Sequence, residues 1–204
     1  MLAERMIRCG LRPCTGRRRR MKLIINHVGT EGWSQHAPQS IYTPVWISDV
    51  LSAAKRELSR RELQDVESNL RSAFGQEAYC WGLPGPAKSL FDRMNIGDAA
   101  IFVSGVSSSG DGDVECVAWI DYLPPYPLRE ASEAVWGSSH YCWMFFFRGR
   151  SLLRMPWQEL LNDLEYKDDL NPRGWAWAVA ASRLERRGGP SYVRDIQSKY
   201  GTSG

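Results

Sequence analysis

The chain has 204 residues, 43% hydrophobic and 24% charged, which fits one folded domain with appendages and excludes wholesale disorder. No apolar run approaches the roughly 20 residues that a membrane-spanning helix needs, so no membrane partner is expected. The formal charge of +3 is unevenly spread. Residues 1–20 carry seven arginines against one glutamate, a net of +6, and the remaining 184 residues carry 19 basic and 22 acidic side chains, a net of −3. A nucleic-acid role therefore has to rest on local sites and not on a bulk basic field.

In chain order, residues 1–20 are Arg-rich and lack an apolar h-region, which excludes a secretory signal. They fit a transit peptide or an arm that touches phosphates, and are expected to be an unstructured basic leader. The domain proper is placed at residues 21–185. Residues 22–28 (KLIINHV) read as a strand and 29–44, with Gly, Ser, Gln and two prolines, as a loop. Over 45–74, apolar residues recur at three- and four-residue steps, which predicts a helix started by Ser48 or Asp49 and stopped by Gly75.

A short aromatic stretch at 77–82 is broken by Pro84, Gly85 and Pro86, and residues 87–94 read as a short helix. Residues 99–106 and 114–123 are predicted as a strand pair around a Ser/Gly/Asp turn, 128–134 as a helical turn, and 141–148 as a strand. Residues 156–164 read as a helix with Pro at its start. Residues 175–184 are ambiguous, since alanines favour helix and tryptophans favour strand, and 186–204 are expected to form a flexible tail. The order of elements lacks regular βαβ alternation, so the fold class is α+β: a small, curved mixed β-sheet or barrel with flanking helices.

Five cysteines, an odd number with no CxxC pair, point to a reduced, cytoplasmic protein without a disulfide framework. The histidines His27, His36 and His140 have no metal-ligand spacing, so no metal site and no cofactor are expected. Phosphate-loop, dinucleotide, nucleophile-elbow and HExxH motifs are all missing. The acidic groups Asp111, Asp113, Glu115 and Asp163, Glu165, Asp168, Asp169 read as solvated turns and helix ends. No catalytic residue is assigned.

Nine tryptophans carry the signal. Trp119, Trp143 and one of Trp175 or Trp177 lie in strand-like runs and read as core. Trp81 and Trp136 are each followed by glycine at the edge of an element, where something can approach closely. They either lid the core or present rings to a base or a methyl group.

The segment CWGLPGPAKSLFDRMNIGDAAIFVS (80–104), with AVWGSSHYCW (134–143) and the opening KLIINHVGTEGW (22–33), resembles EVE and YTH domains of the PUA-like superfamily. The resemblance spans about residues 22–184 and is of the prokaryotic kind. It implies a reader of a modified base in DNA or RNA, flipped into an aromatic cage, and linked to modification-dependent restriction or phage defence. A separate nuclease or ATPase is the implied partner. The family's cage tryptophans fall on Trp81 and Trp136, with Gly82, Leu83, Asn26, His27 and Ser104 around the base and Arg148, Arg154 and Arg173 as phosphate contacts.

The sequence departs from the family pattern. A helical insertion of about thirty residues (45–75) precedes Trp81, Gly82 stands where many YTH domains have serine, and the body is not basic. The glycine counts against N6-methyladenine and leaves methylcytosines and other modifications open. Two other functions stay in view: an ASCH-like amidohydrolase acting on modified nucleosides, built on Lys22, Lys88 and Glu115, and a protein-interaction or antitoxin-like module using exposed tryptophans.

Overall fold

The computed structural model describes residues 20–106, 111–166 and 176–202. Two sheets form its centre. The larger has the order β7-β5-β4-β1-β8, from β1 (Leu23–His27), β4 (Ala99–Ser104), β5 (Asp113–Trp119), β7 (Arg150–Pro156) and β8 (Ala176–Ala178). β1 runs parallel to β4, and the other pairings in this sheet are antiparallel. The smaller sheet is β2-β3-β6, from β2 (Val45–Trp46), β3 (Glu77–Leu83) and β6 (Trp143–Phe147). The fold is α+β and mixed, as expected from the sequence, but it is two open sheets and not a closed barrel.

Strand alternation sorts the side chains into layers. Ile24, Ala100, Phe102, Cys116 and Ala118 of the larger sheet meet Trp81, Leu83, Phe145 and Phe147 of the smaller one in a single apolar cluster. On the other face of the larger sheet, Leu23, Ile25, Ile101 and Val117 pack with α6 (Trp157–Asp163), α7 (Ala181–Arg186) and α8 (Pro190–Tyr200). On the other face of the smaller sheet, Cys80, Met144 and Phe146 pack with α2 (Ile47–Ala54), α3 (Arg60–Phe74) and α5 (Arg129–Trp136). Both sheets are covered on both faces, which is why β4 and β6 are buried along their whole length and read as unbroken apolar runs.

Several expectations are corrected. The single helix over 45–74 is a two-residue strand and two helices, and α3 starts anew at Ser59. There Ser59 Oγ accepts from the Glu62 N–H while the Glu62 carboxylate accepts from the Ser59 N–H, a reciprocal cap that ends one helix and begins the next. The stretch forms one layer of the core, since Ile47, Val50, Val66 and Leu70 are buried against the smaller sheet.

The supposed loop at 29–44 holds α1 (Thr30–Ala37) and a π-helical turn (Pro38–Tyr42), because Trp33, Ala37 and Ile41 recur every four residues and are buried. The tail expected after Arg186 forms α8, held by buried Tyr192, Val193 and Ile196. The ambiguous stretch divides into β8 and α7, with Trp177 in the strand and Trp175 outside the described residues. The basic leader, apart from Arg20, lies outside them as well.

Candidate functional site

β3 does not end at Trp81 but runs on to Leu83, pairing Trp81 with Phe145 and Gly82 with Met144 of β6. Trp81 is therefore set by the sheet register and not by a loop. Its ring packs among Trp33 at 6.2 Å and Phe102 at 5.3 Å between centroids. Trp136 is the last residue of α5, which is closed by Gly137 in the left-handed conformation (φ 66°). Its indole N–H donates to Ser40 Oγ at 3.1 Å, which holds the ring toward β3.

Gly82 makes that approach possible. A Cβ there would lie 2.3 Å from the Tyr141 carbonyl oxygen and 2.9 Å from Trp136 Cζ3, so no side chain fits. Trp81 and Trp136 meet with centroids 6.0 Å apart and planes at 64°. A base sandwiched between parallel faces would set them about 7 Å apart, twice the ~3.5 Å contact distance. The pair is edge to face, so the open space lies beside the two tryptophans and not between them.

That space is a cavity of about 280 Å³, near the small end of the ~300–1,000 Å³ range of small-molecule pockets. One wall is the end of β3: Trp81, Gly82, Leu83 and Pro84. The second is Trp136 with Tyr141, whose rings meet at 6.1 Å. The third is the end of β1 and the start of α1: His27, Val28, Gly29, Glu31, Gly32 and His36. Among the described residues no lysine or arginine lines it.

The His36 ring stands edge-on to Tyr141 at 5.2 Å and to Trp81 at 6.5 Å. Burial pushes its imidazole below the usual histidine range, which favours the uncharged form. Glu31 sits at the exposed rim, where its carboxylate accepts from Gln35 Nε2 at 3.3 Å.

Of the residues singled out in the sequence, Trp81, Trp136, Gly82, Leu83 and His27 line this cavity. Asn26 and Ser104 do not. Asn26 is buried beneath, its amide donating to the Ile101 carbonyl at 3.2 Å, with Oδ1 left without a partner. Ser104 donates to the Glu115 carboxylate across the β4–β5 pair. Arg148, in the turn before β7, and Arg154, on β7, are exposed and away from the lining, and Arg173 lies outside the described residues.

Lys22, Lys88 and Glu115 are occupied separately: by the Arg93 carbonyl, by Asp92 and by Ser104. None of the three lines the cavity. Trp81 and Trp136 are each only 6% exposed, so an interaction module using exposed tryptophans would rest on others, such as Trp46 at 51%. His36, Glu31 and Tyr141 were not foreseen. A lone histidine in a stretch read as loop has no spacing signal, although the Trp33–Ala37–Ile41 step would have placed it on a helix.

Among the described residues no group of three or more His, Cys, Asp or Glu could hold a metal ion, and no helix is long and apolar enough to cross a membrane. Cys80, Cys116 and Cys142 are free and buried, and burial pushes their thiols up, away from the reactive thiolate.

No family model and no curated protein matches the chain. Among solved structures, the chain is similar to the N-terminal domain of Thermococcus gammatolerans McrB bound to m5C DNA, with a TM-score of 0.61 and 17% identity. The match covers 86% of this chain and 98% of that one. The likeness is one of fold and extends over nearly the whole of the McrB domain.

Proposed function

We propose that this chain is a reader of a modified base in DNA. The observation that carries the reading is the cavity itself: small, walled by Trp81, Trp136, Tyr141, Leu83 and Pro84, with a few polar groups, in a fold shared with a domain captured on m5C DNA. A base turned out of the duplex enters beside the Trp81–Trp136 pair and stacks on an aromatic wall. The added methyl group gains apolar contact, and the polar groups at the third wall address the base edge.

Turning a base out costs a few kcal/mol, and stacking returns about 1–3 kcal/mol per base, so the methyl contact and edge bonds decide the balance. Arg148, Arg154, Arg173 and the leader would supply contacts to phosphates, which position the duplex without reading sequence. Cleavage in a restriction pathway would come from a separate nuclease or ATPase.

A binding panel of duplexes carrying N6-methyladenine, 5-methylcytosine, 5-hydroxymethylcytosine or no modification, at fixed salt, tests the reading. One modified duplex should bind at least tenfold more tightly than the unmodified one. The controlling variant is Gly32→Leu. A Cβ at Gly32 meets only Val28 Cγ1 at 3.5 Å, so the helix accepts a side chain, and leucine then fills the cavity. Replacing an intrahelical glycine also favours α1 by up to about 1 kcal/mol. The variant should keep or raise the melting temperature and lose the preference for the modified base. Retained preference in Gly32→Leu would place the recognition elsewhere.

A further inference from the structure

Two polar side chains reach the cavity from one helix, and they differ in kind. Glu31 brings a carboxylate, whose oxygens accept hydrogen bonds. His36 brings an imidazole with an N–H donor, and neither ring nitrogen has a hydrogen-bond partner among the described residues. The rest of the wall around His36 is aromatic: Trp81 and Tyr141 hold the ring in T-shaped contacts. A half-buried imidazole held in place by rings, with its nitrogens unused, is a group prepared for a ligand.

We propose that Glu31 and His36 together read the Watson–Crick edge of the turned-out base, selecting bases with an exocyclic amine, cytosine or adenine in type, against thymine, uracil and guanine. The inference rests on the cavity being the base site. Cytosine and adenine present an amine donor beside a ring-nitrogen acceptor. The amine donates to the Glu31 carboxylate, and the ring nitrogen accepts from the His36 N–H. Thymine, uracil and guanine present the reverse order, a carbonyl acceptor beside an N–H donor. Their carbonyl would face the carboxylate of Glu31 and leave both groups unpaired, a loss larger than that of a bond merely missing. For 5-methylcytosine, whose methyl lies off this edge, the selection is set by the order of donor and acceptor and is independent of the methyl group.

The test uses the full chain and duplexes identical except for one base placed opposite an abasic site: 5-methylcytosine, thymine, cytosine, N6-methyladenine or adenine. 5-Methylcytosine and thymine share ring size and methyl group and differ at the edge. The wild-type chain should prefer 5-methylcytosine to thymine by about tenfold or more. Glu31→Gln and His36→Phe should bring that ratio within about threefold at unchanged melting temperature, since phenylalanine keeps the ring contacts and glutamine the shape.

If 5-methylcytosine and thymine bind alike and both above cytosine, the cavity reads the methyl group alone; the edge reading falls while the base site stands. If the preference survives in both variants, Glu31 and His36 do not set it. If neither methylated base binds better than its unmodified counterpart, the base site itself is refuted, and this inference with it.

Discussion

At Gly82, the absence of a side chain is what the site depends on. A Cβ there would overlap the Tyr141 backbone, which cannot swing away like the end of a flexible side chain. Gly82→Ala should therefore destabilise the protein by about 1–3 kcal/mol, the usual cost of overpacking, read as a lower denaturant midpoint. It should also push Trp136 off Trp81 and weaken base discrimination. The glycines after Trp81 and Trp136 were the legible sign in the sequence, and they mark two different things. Gly82 is a close approach, and Gly137 is a left-handed helix end. His36 was illegible, because its role arises from Trp81 and Tyr141, which reach it from distant parts of the chain.

At the scale of elements, the runs that hold both sheets together were the most legible. β1, β4 and β6 are buried on both faces and, apart from Asn26, His27 and Ser104 at strand ends, are apolar, so they need no periodicity to be recognised. The break between α2 and α3 was missed, although the Ser59-to-Glu62 spacing is a helix-start signature and the apolar step widens there to five residues, from Leu58 to Leu63. A second cap could not be read at all. The Glu57 carboxylate accepts from the backbone N–H groups of Arg129 and Glu130 at 3.0 and 2.9 Å, capping α5 from the α2–α3 connection. Glu57→Ala should cost about 1–2 kcal/mol in chemical denaturation, since two helix-end donors lose their acceptor. Because α5 ends on Trp136, the loss should carry to the pocket as weaker binding of the modified duplex.

For the molecule as a whole, the charge of +3 separates into a basic leader and an acidic body. Among the described residues no lysine or arginine lines the cavity, so on the proposed reading it selects by shape and hydrogen bonding while cations outside it supply affinity that is blind to sequence. Deleting residues 1–20 should weaken binding and flatten its dependence on salt concentration while leaving the order of preferred bases unchanged. A changed order, measured by competition at two salt concentrations, would make the leader part of the reading apparatus.

The three walls of the cavity come from stretches far apart in sequence: the end of β1 with α1, the end of β3, and the segment from Trp136 to Tyr141. None of them makes a half-site alone. A ligand held there is bound by the native state and not by the unfolded chain, so its binding energy is added to folding as a whole. At one hundred times its dissociation constant it stabilises the protein by about 2.7 kcal/mol. On the proposed reading, modified DNA would act as a folding effector for its reader: chains that have met their target would outlast, in heat or protease, those that have not.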